Sequence, residues 1–177
     1  MARFLAPDDL PGGSPPEEAP RIAVASLAPG ARLLMWSLRY RVLLLRRQTE
    51  PDALLLDVLR SNQAEDLLAP LDRLVTLVGG LATRMVDVRC PACATASPDE
   101  IALLGAVADA ARGDDPAADR RFASMLTETA RRFAVAYVTG IARVLAHAGL
   151  PVAAPAPTPT RTILRAVRDG DRLVPLH

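Results

Sequence analysis

The chain has 177 residues, a length that suits one domain with tails and is ample for a real core. Half of the residues are apolar, but there are only one Trp, two Tyr and three Phe, so the core must be built from Leu, Val and Ala, which favours helices packed on helices over a β-sandwich. All 21 basic residues are Arg and the net charge is +1, which excludes a strong overall field for steering nucleic acid or anionic lipid.

Residues 1–28 include PDDLPGGSPPEEAP, rich in Pro, Gly and acids, and are expected to form a flexible arm. Pro7 and two acids interrupt the start before any apolar run of signal-peptide length, so no secretory signal is read there. Helical pattern begins after Pro29-Gly30 and runs to about Arg47. Leu33, Leu34, Leu38, Tyr40, Val42, Leu44 and Leu45 point around most of that helix, more than one small bundle is expected to bury, and this predicts a homodimer. At 100° per residue, Arg32, Arg39 and Arg46 fall within about 40° of one another, beside Trp36. Such a stripe either holds phosphates and bases or pairs with the acidic segment that follows, where Glu50, Asp52, Asp57, Glu65, Asp66 and Asp72 cluster. The near-zero net charge argues for the second use and against a nucleic-acid partner.

A short helix, DALLLDVLR, follows with Thr49 as its cap, and Asn62 to Glu65 reads as a capping box for the next. Behind that box, Leu67, Leu68, Leu71, Leu74, Val75, Val78, Leu81, Ala82 and Met85 recur at helical spacing, with Pro70 starting or kinking the element. Glycines inside helices cost roughly 0.8–1 kcal/mol against Ala and mark close approaches. Helix crossings are therefore expected at Gly79-Gly80, Gly105 and Gly140, with a helix break as the alternative at Gly79-Gly80.

Both cysteines lie in CPAC, as Cys90 and Cys93. The spacing is half of a zinc knuckle, but no second pair exists, and His147 and His177 have no ligand spacing, so zinc at Cys90 and Cys93 would need two chains to bring their loops together. A redox site wants the CxxC at a helix N-terminus between strands, whereas the next helix opens about a turn and a half after Cys93. The third reading is a structural loop with inert thiols.

Ser97-Pro98-Asp99-Glu100 combines an N-cap serine, Pro at the first helical position and a glutamate three residues on, which predicts a helix to Ala111 stopped by Gly113. Asp99-Glu100 and Asp114-Asp115 are explained by the helix dipole alone. The last helix is predicted from Asp115-Pro116 to about Ala148, burying Phe122, Leu126, Phe133, Tyr137, Ile141, Val144 and Ala148. Its Arg121, Arg132 and Arg143 form a solvated row, with Glu128 paired to Arg132. The most membrane-like window, Phe133 to Ala154, carries Arg143 and ends at Pro151, so a buried helix is expected and no membrane partner. The cytoplasm is the default compartment, where two cysteines are expected to be thiols. After PVAAPAPTPT, a stiff linker, residues 161–176 read as a hairpin around Asp169-Gly170 or a helical turn, and in either form as a docking peptide.

The fold expected is all-α: a bundle of four main helices plus one short helix over residues 29–150, with flexible N- and C-terminal extensions, the latter covering 151–177. No phosphate-binding glycine loop, nucleophile elbow or His-based ligand pair is present, which leans away from an enzyme and from any cofactor other than zinc. The expected function is a homodimeric interaction or regulatory module with a protein partner. The alternatives are a metal-binding or thiol-sensing regulator using Cys90 and Cys93, and a nucleic-acid binder using Arg32, Trp36, Arg39 and Arg46.

Overall fold

A computed structural model of the chain describes residues 4–5 and 22–153. The proline-rich part of the arm, most of the Ala/Pro linker, the docking peptide at 161–176 and His177 lie outside the described residues. The described chain is mainly helical, with six α-helices: α1 (Pro29–Arg46), α2 (Ala53–Ser61), α3 (Leu68–Leu81), α4 (Pro98–Ala111), α5 (Asp115–Arg121) and α6 (Glu128–His147). Four are long and two are short. The only paired strands among the described residues are two residues each, Phe4–Leu5 alongside Val86–Asp87 in parallel. No helix among the described residues is long and apolar enough to cross a membrane.

The extra short helix comes from the last predicted element, which is broken in two. Phe122, Met125 and Leu126 are all buried, and one helix cannot turn all three into the core together with the face that follows. The chain leaves the helix after Arg121, Leu126 bridges to Ala82, and Thr127 caps α6 by accepting from the Ala130 N–H. The buried face of α6 is then Ala130, Ala134, Val138, Ile141, Ala142 and Leu145. Phe133, expected inside, is 54 % exposed. Small residues win this face because α6 packs against both α3 and α4.

Three consecutive residues of α1 reach three different helices. Arg39 pairs with Glu100 of α4, the Tyr40 hydroxyl donates to Asp52 at the start of α2 (2.7 Å), and Arg41 pairs with Asp72 of α3. A step of 100° per residue spreads these side chains around the helix, which is why α1 can sit among its neighbours. Leu33, Leu34, Leu38, Val42 and Leu44 are buried within the single chain, so the apolar circumference of α1 is spent inside the bundle and gives no reason for a dimer.

Caps divide between expectation and correction. The Ser97–Glu100 box forms, with Ser97 Oγ accepting from the Glu100 N–H (3.1 Å) and Glu100 accepting from the Ser97 N–H (2.8 Å). Asp52, not Thr49, caps α2, because its carboxylate reaches the Leu55 N–H. The Asn62–Glu65 box does not form: Asn62 donates instead to the Val58 carbonyl, and a single 3₁₀ turn at Glu65–Leu67 leads into α3. Pro70 sits in the first turn of α3, where its missing N–H costs nothing. Gly79-Gly80 does not break α3.

The folded unit also extends beyond 29–150. Residues 22–24 lie antiparallel to 94–96 through Val24 N–H to Ala94 O (2.8 Å) and Ala96 N–H to Ile22 O (2.9 Å). Ile22, Leu27 and Val152 are buried in the common core.

Candidate functional site

Between α3 and α4, residues 82–97 form a long connection with no helix, a length that in compact domains usually serves a function. Val86 and Val88 are buried, and Asp87 and Arg89 alternate outward. The chain then turns at Pro91-Ala92, closed by the Cys93 N–H to the Cys90 carbonyl (3.0 Å), and returns along residues 22–24 to Ser97. The turn carries Cys90 and Cys93.

Two carboxylates in the first turn of α4 hold this connection. Asp99 takes Arg84 through both oxygens (2.8 and 2.6 Å) and accepts from the Asp87 N–H (2.8 Å). Glu100 takes Arg39 through both oxygens (2.7 and 2.9 Å) and also accepts from the Arg89 and Ser97 N–H groups. Arg39 spends its remaining contacts on the loop itself, donating to the carbonyls of Cys93 (2.7 Å) and Thr95 (2.8 Å). Both side chains of this pair are buried, at 1 % and 0 % exposure. A buried ion pair is tolerable when its remaining donors and acceptors are satisfied, and here the loop backbone satisfies them. The helix dipole is thus a minor reason for Asp99 and Glu100. Beside them, burial pushes the Asp87 carboxyl above its ordinary range, with Glu100 and Asp99 adding to the rise and Arg89 and Arg39 opposing it.

Cys90 and Cys93 are joined in a disulfide with Cα atoms 5.3 Å apart, not present as the free thiols expected. The ring spans only two intervening residues, so the loop-entropy model gives it about 2 kcal/mol, well below a long-range crosslink. An oxidised pair offers no thiolate to a metal, and no group of three or more His, Cys, Asp or Glu among the described residues could hold one. His147 lies exposed at the end of α6, and His177 lies outside the described residues.

No family model, curated protein or solved structure matches the chain. Function is therefore argued from its own residues.

The Arg stripe of α1 does not survive as a surface. Arg39 is inside the molecule, Trp36 is half-buried and stacked on Tyr40 with ring centroids 5.0 Å apart, and Arg46 is partly covered, leaving Arg32 exposed. Of the stripe expected to pair with the acidic segment, Arg39 goes beyond it to Glu100, while Arg41, which lies off the stripe, pairs with Asp72. Of the predicted solvated row, Arg132 pairs with Glu128 as expected (3.2 Å), while Arg121 turns inward to Asp109 (2.9 Å) against Gly105.

One surface escaped the sequence reading. Where α3 packs on α6, Leu81 (55 %) and Phe133 (54 %) are exposed and Leu77 and Tyr137 half-buried, and Met85 in the connection after α3 is also exposed (42 %). A groove of about 420 Å³ runs between the helices, lined by Asp72, Arg73, Thr76, Leu77, Leu81 and Tyr137. The available signal was the second helical stripe of α6, Ala130–Ala134–Val138–Ile141, which competes with the aromatic one.

Proposed function

We propose that the protein is a non-enzymatic helical interaction module that works as a homodimer in the cytoplasm, with the α3–α6 face as its contact surface. The observation that carries this reading is the exposure of Leu81 at the end of α3 and of Phe133 on α6, two helices that pack on each other.

The occupant proposed is a second copy. A twofold interface needs one patch that carries both a projection and the place that receives it. Phe133 projects from α6, and Gly80 on α3 has open space where a Cβ would be. A glycine inside a helix is unfavourable by about 0.8–1 kcal/mol, and nothing among the described residues comes within 4 Å of where a Cβ of Gly80 would be to account for it. A partner's aromatic ring would.

Light scattering on the purified protein tests this, with Leu81→Glu and Phe133→Glu as variants. The expected result is a dimer that both changes convert to a monomer with an unchanged helical signal. A wild-type chain that stays monomeric at its highest soluble concentration overturns the reading.

A further inference from the structure

We propose that Cys90–Cys93 is a thiol–disulfide exchange site whose co-reactant is a dithiol, entered at Cys90 and kept ready to re-close by the Arg39–Glu100 pair. The inference does not rest on the dimer, since it uses the connection before α4 and the first turn of that helix.

Two observations carry it. First, the bond is redundant for the fold. The loop on either side of the ring is held by Arg39 at the Cys93 and Thr95 carbonyls, by Glu100 at the Arg89 and Ser97 N–H groups, and by the antiparallel contact with residues 22–24. None of those bonds uses a sulfur. Second, access is one-sided: Cys90 is exposed and Cys93 is half-buried, so an incoming thiolate meets Cys90 first.

The exchange balances as follows. A thiolate of the dithiol attacks Cys90 Sγ and forms a mixed disulfide, while the Cys90–Cys93 bond breaks and its electron pair leaves on Cys93 Sγ, which takes a proton from water. The second thiolate of the same dithiol then attacks the reagent's own sulfur, closing the reagent's disulfide and releasing Cys90 as a thiolate, which is protonated in turn. Two electrons and two protons pass from the dithiol to the pair. Because Arg39 and Glu100 keep the loop backbone in place, the two thiols stay within bonding reach and the reverse reaction is intramolecular at the protein.

The test uses the full chain in native buffer. Dithiothreitol followed by maleimide labelling and mass measurement is expected to show two labelled cysteines without denaturant, an unchanged far-ultraviolet spectrum, and re-closure on adding oxidised dithiothreitol. Separately, Cys93→Ser is expected to form a mixed disulfide with oxidised glutathione at least about tenfold faster than Cys90→Ser, since the exposed thiol is the one the reagent reaches. Reduction that occurs only on unfolding, or that removes the helical signal, would make the bond a structural staple and overturn the proposal. Equal rates for the two variants would overturn entry at Cys90.

Discussion

Arg39 and Glu100 are 61 residues apart in the chain and meet as a two-pronged buried pair that fastens α1, α4 and the cysteine loop at one point. Removing one partner leaves the other charge buried and alone, which typically costs 3–5 kcal/mol. Arg39→Met and Glu100→Gln are each expected to lose about that much in urea unfolding. The double variant is expected to lose clearly less than the sum, because the second change removes the charge that the first left stranded.

Asp87 makes stability depend on pH in a defined direction. Its carboxyl is raised by burial, so the folded state holds the proton more tightly than the unfolded chain does. As pH rises from the ordinary value of 3.8 through the raised one, the folded state loses stability relative to acid. Asp87→Asn is therefore expected to raise Tm at pH 7, with the gain shrinking as pH falls toward 3.8. Asp52 acts in the opposite sense: the Tyr40 hydroxyl and the Leu55 N–H hold it below 3.8, so its contribution is complete above that value and is lost as pH falls through the lowered one. Thermal melts across the acid range check both.

Two phenylalanines once assigned to the same stripe should part company. Phe122 is fully buried and Phe133 is 54 % exposed. Phe122→Ala is expected to cost about 3–5 kcal/mol, as core aromatic truncations do, and Phe133→Ala to stay within about 0.5 kcal/mol in a monomer. Chemical denaturation at low protein concentration makes the comparison.

Glycines give a matched pair. A Cβ at Gly30 would overlap the Leu150 carbonyl, backbone that cannot step aside, whereas Gly80 faces open space. Gly30→Ala is expected to cost about 1–3 kcal/mol by overpacking the seam between α1 and the segment after α6. Gly80→Ala is expected to gain up to about 1 kcal/mol from helix propensity, while weakening self-association if a partner's ring uses that space. Unfolding curves and light scattering on the same samples separate the two effects.

Much of the helical layout was legible from local rules. The Ser97–Glu100 box and the stop at Gly113, in the left-handed region (φ 76°), depend on residues within a turn of one another. The misreadings all involve competition between nearby candidates or between faces. Asp52 displaced Thr49 as a cap because its carboxylate also takes the Tyr40 hydroxyl. A small-residue face displaced the aromatic one on α6 because closeness to α3 and α4 was unknown. The Arg stripe on α1 was geometrically sound as a set of angles, but which neighbour fills each angle is not a local property.

Composition, periodicity and capping chemistry by themselves determined that this is a mainly helical protein built on Leu, Val and Ala, and where most of its helices begin and end, since those are short-range effects. Only the tertiary structure decided that Arg39 is an internal strut rather than a surface cation, that Cys90 and Cys93 close on each other, and that the exposed large apolar side chains lie on α2, α3, α6 and the connection after α3 rather than on α1. Each of those outcomes turns on which side chains meet across dozens of residues, and burial reverses the meaning of a charge or an aromatic ring that the linear chain cannot place.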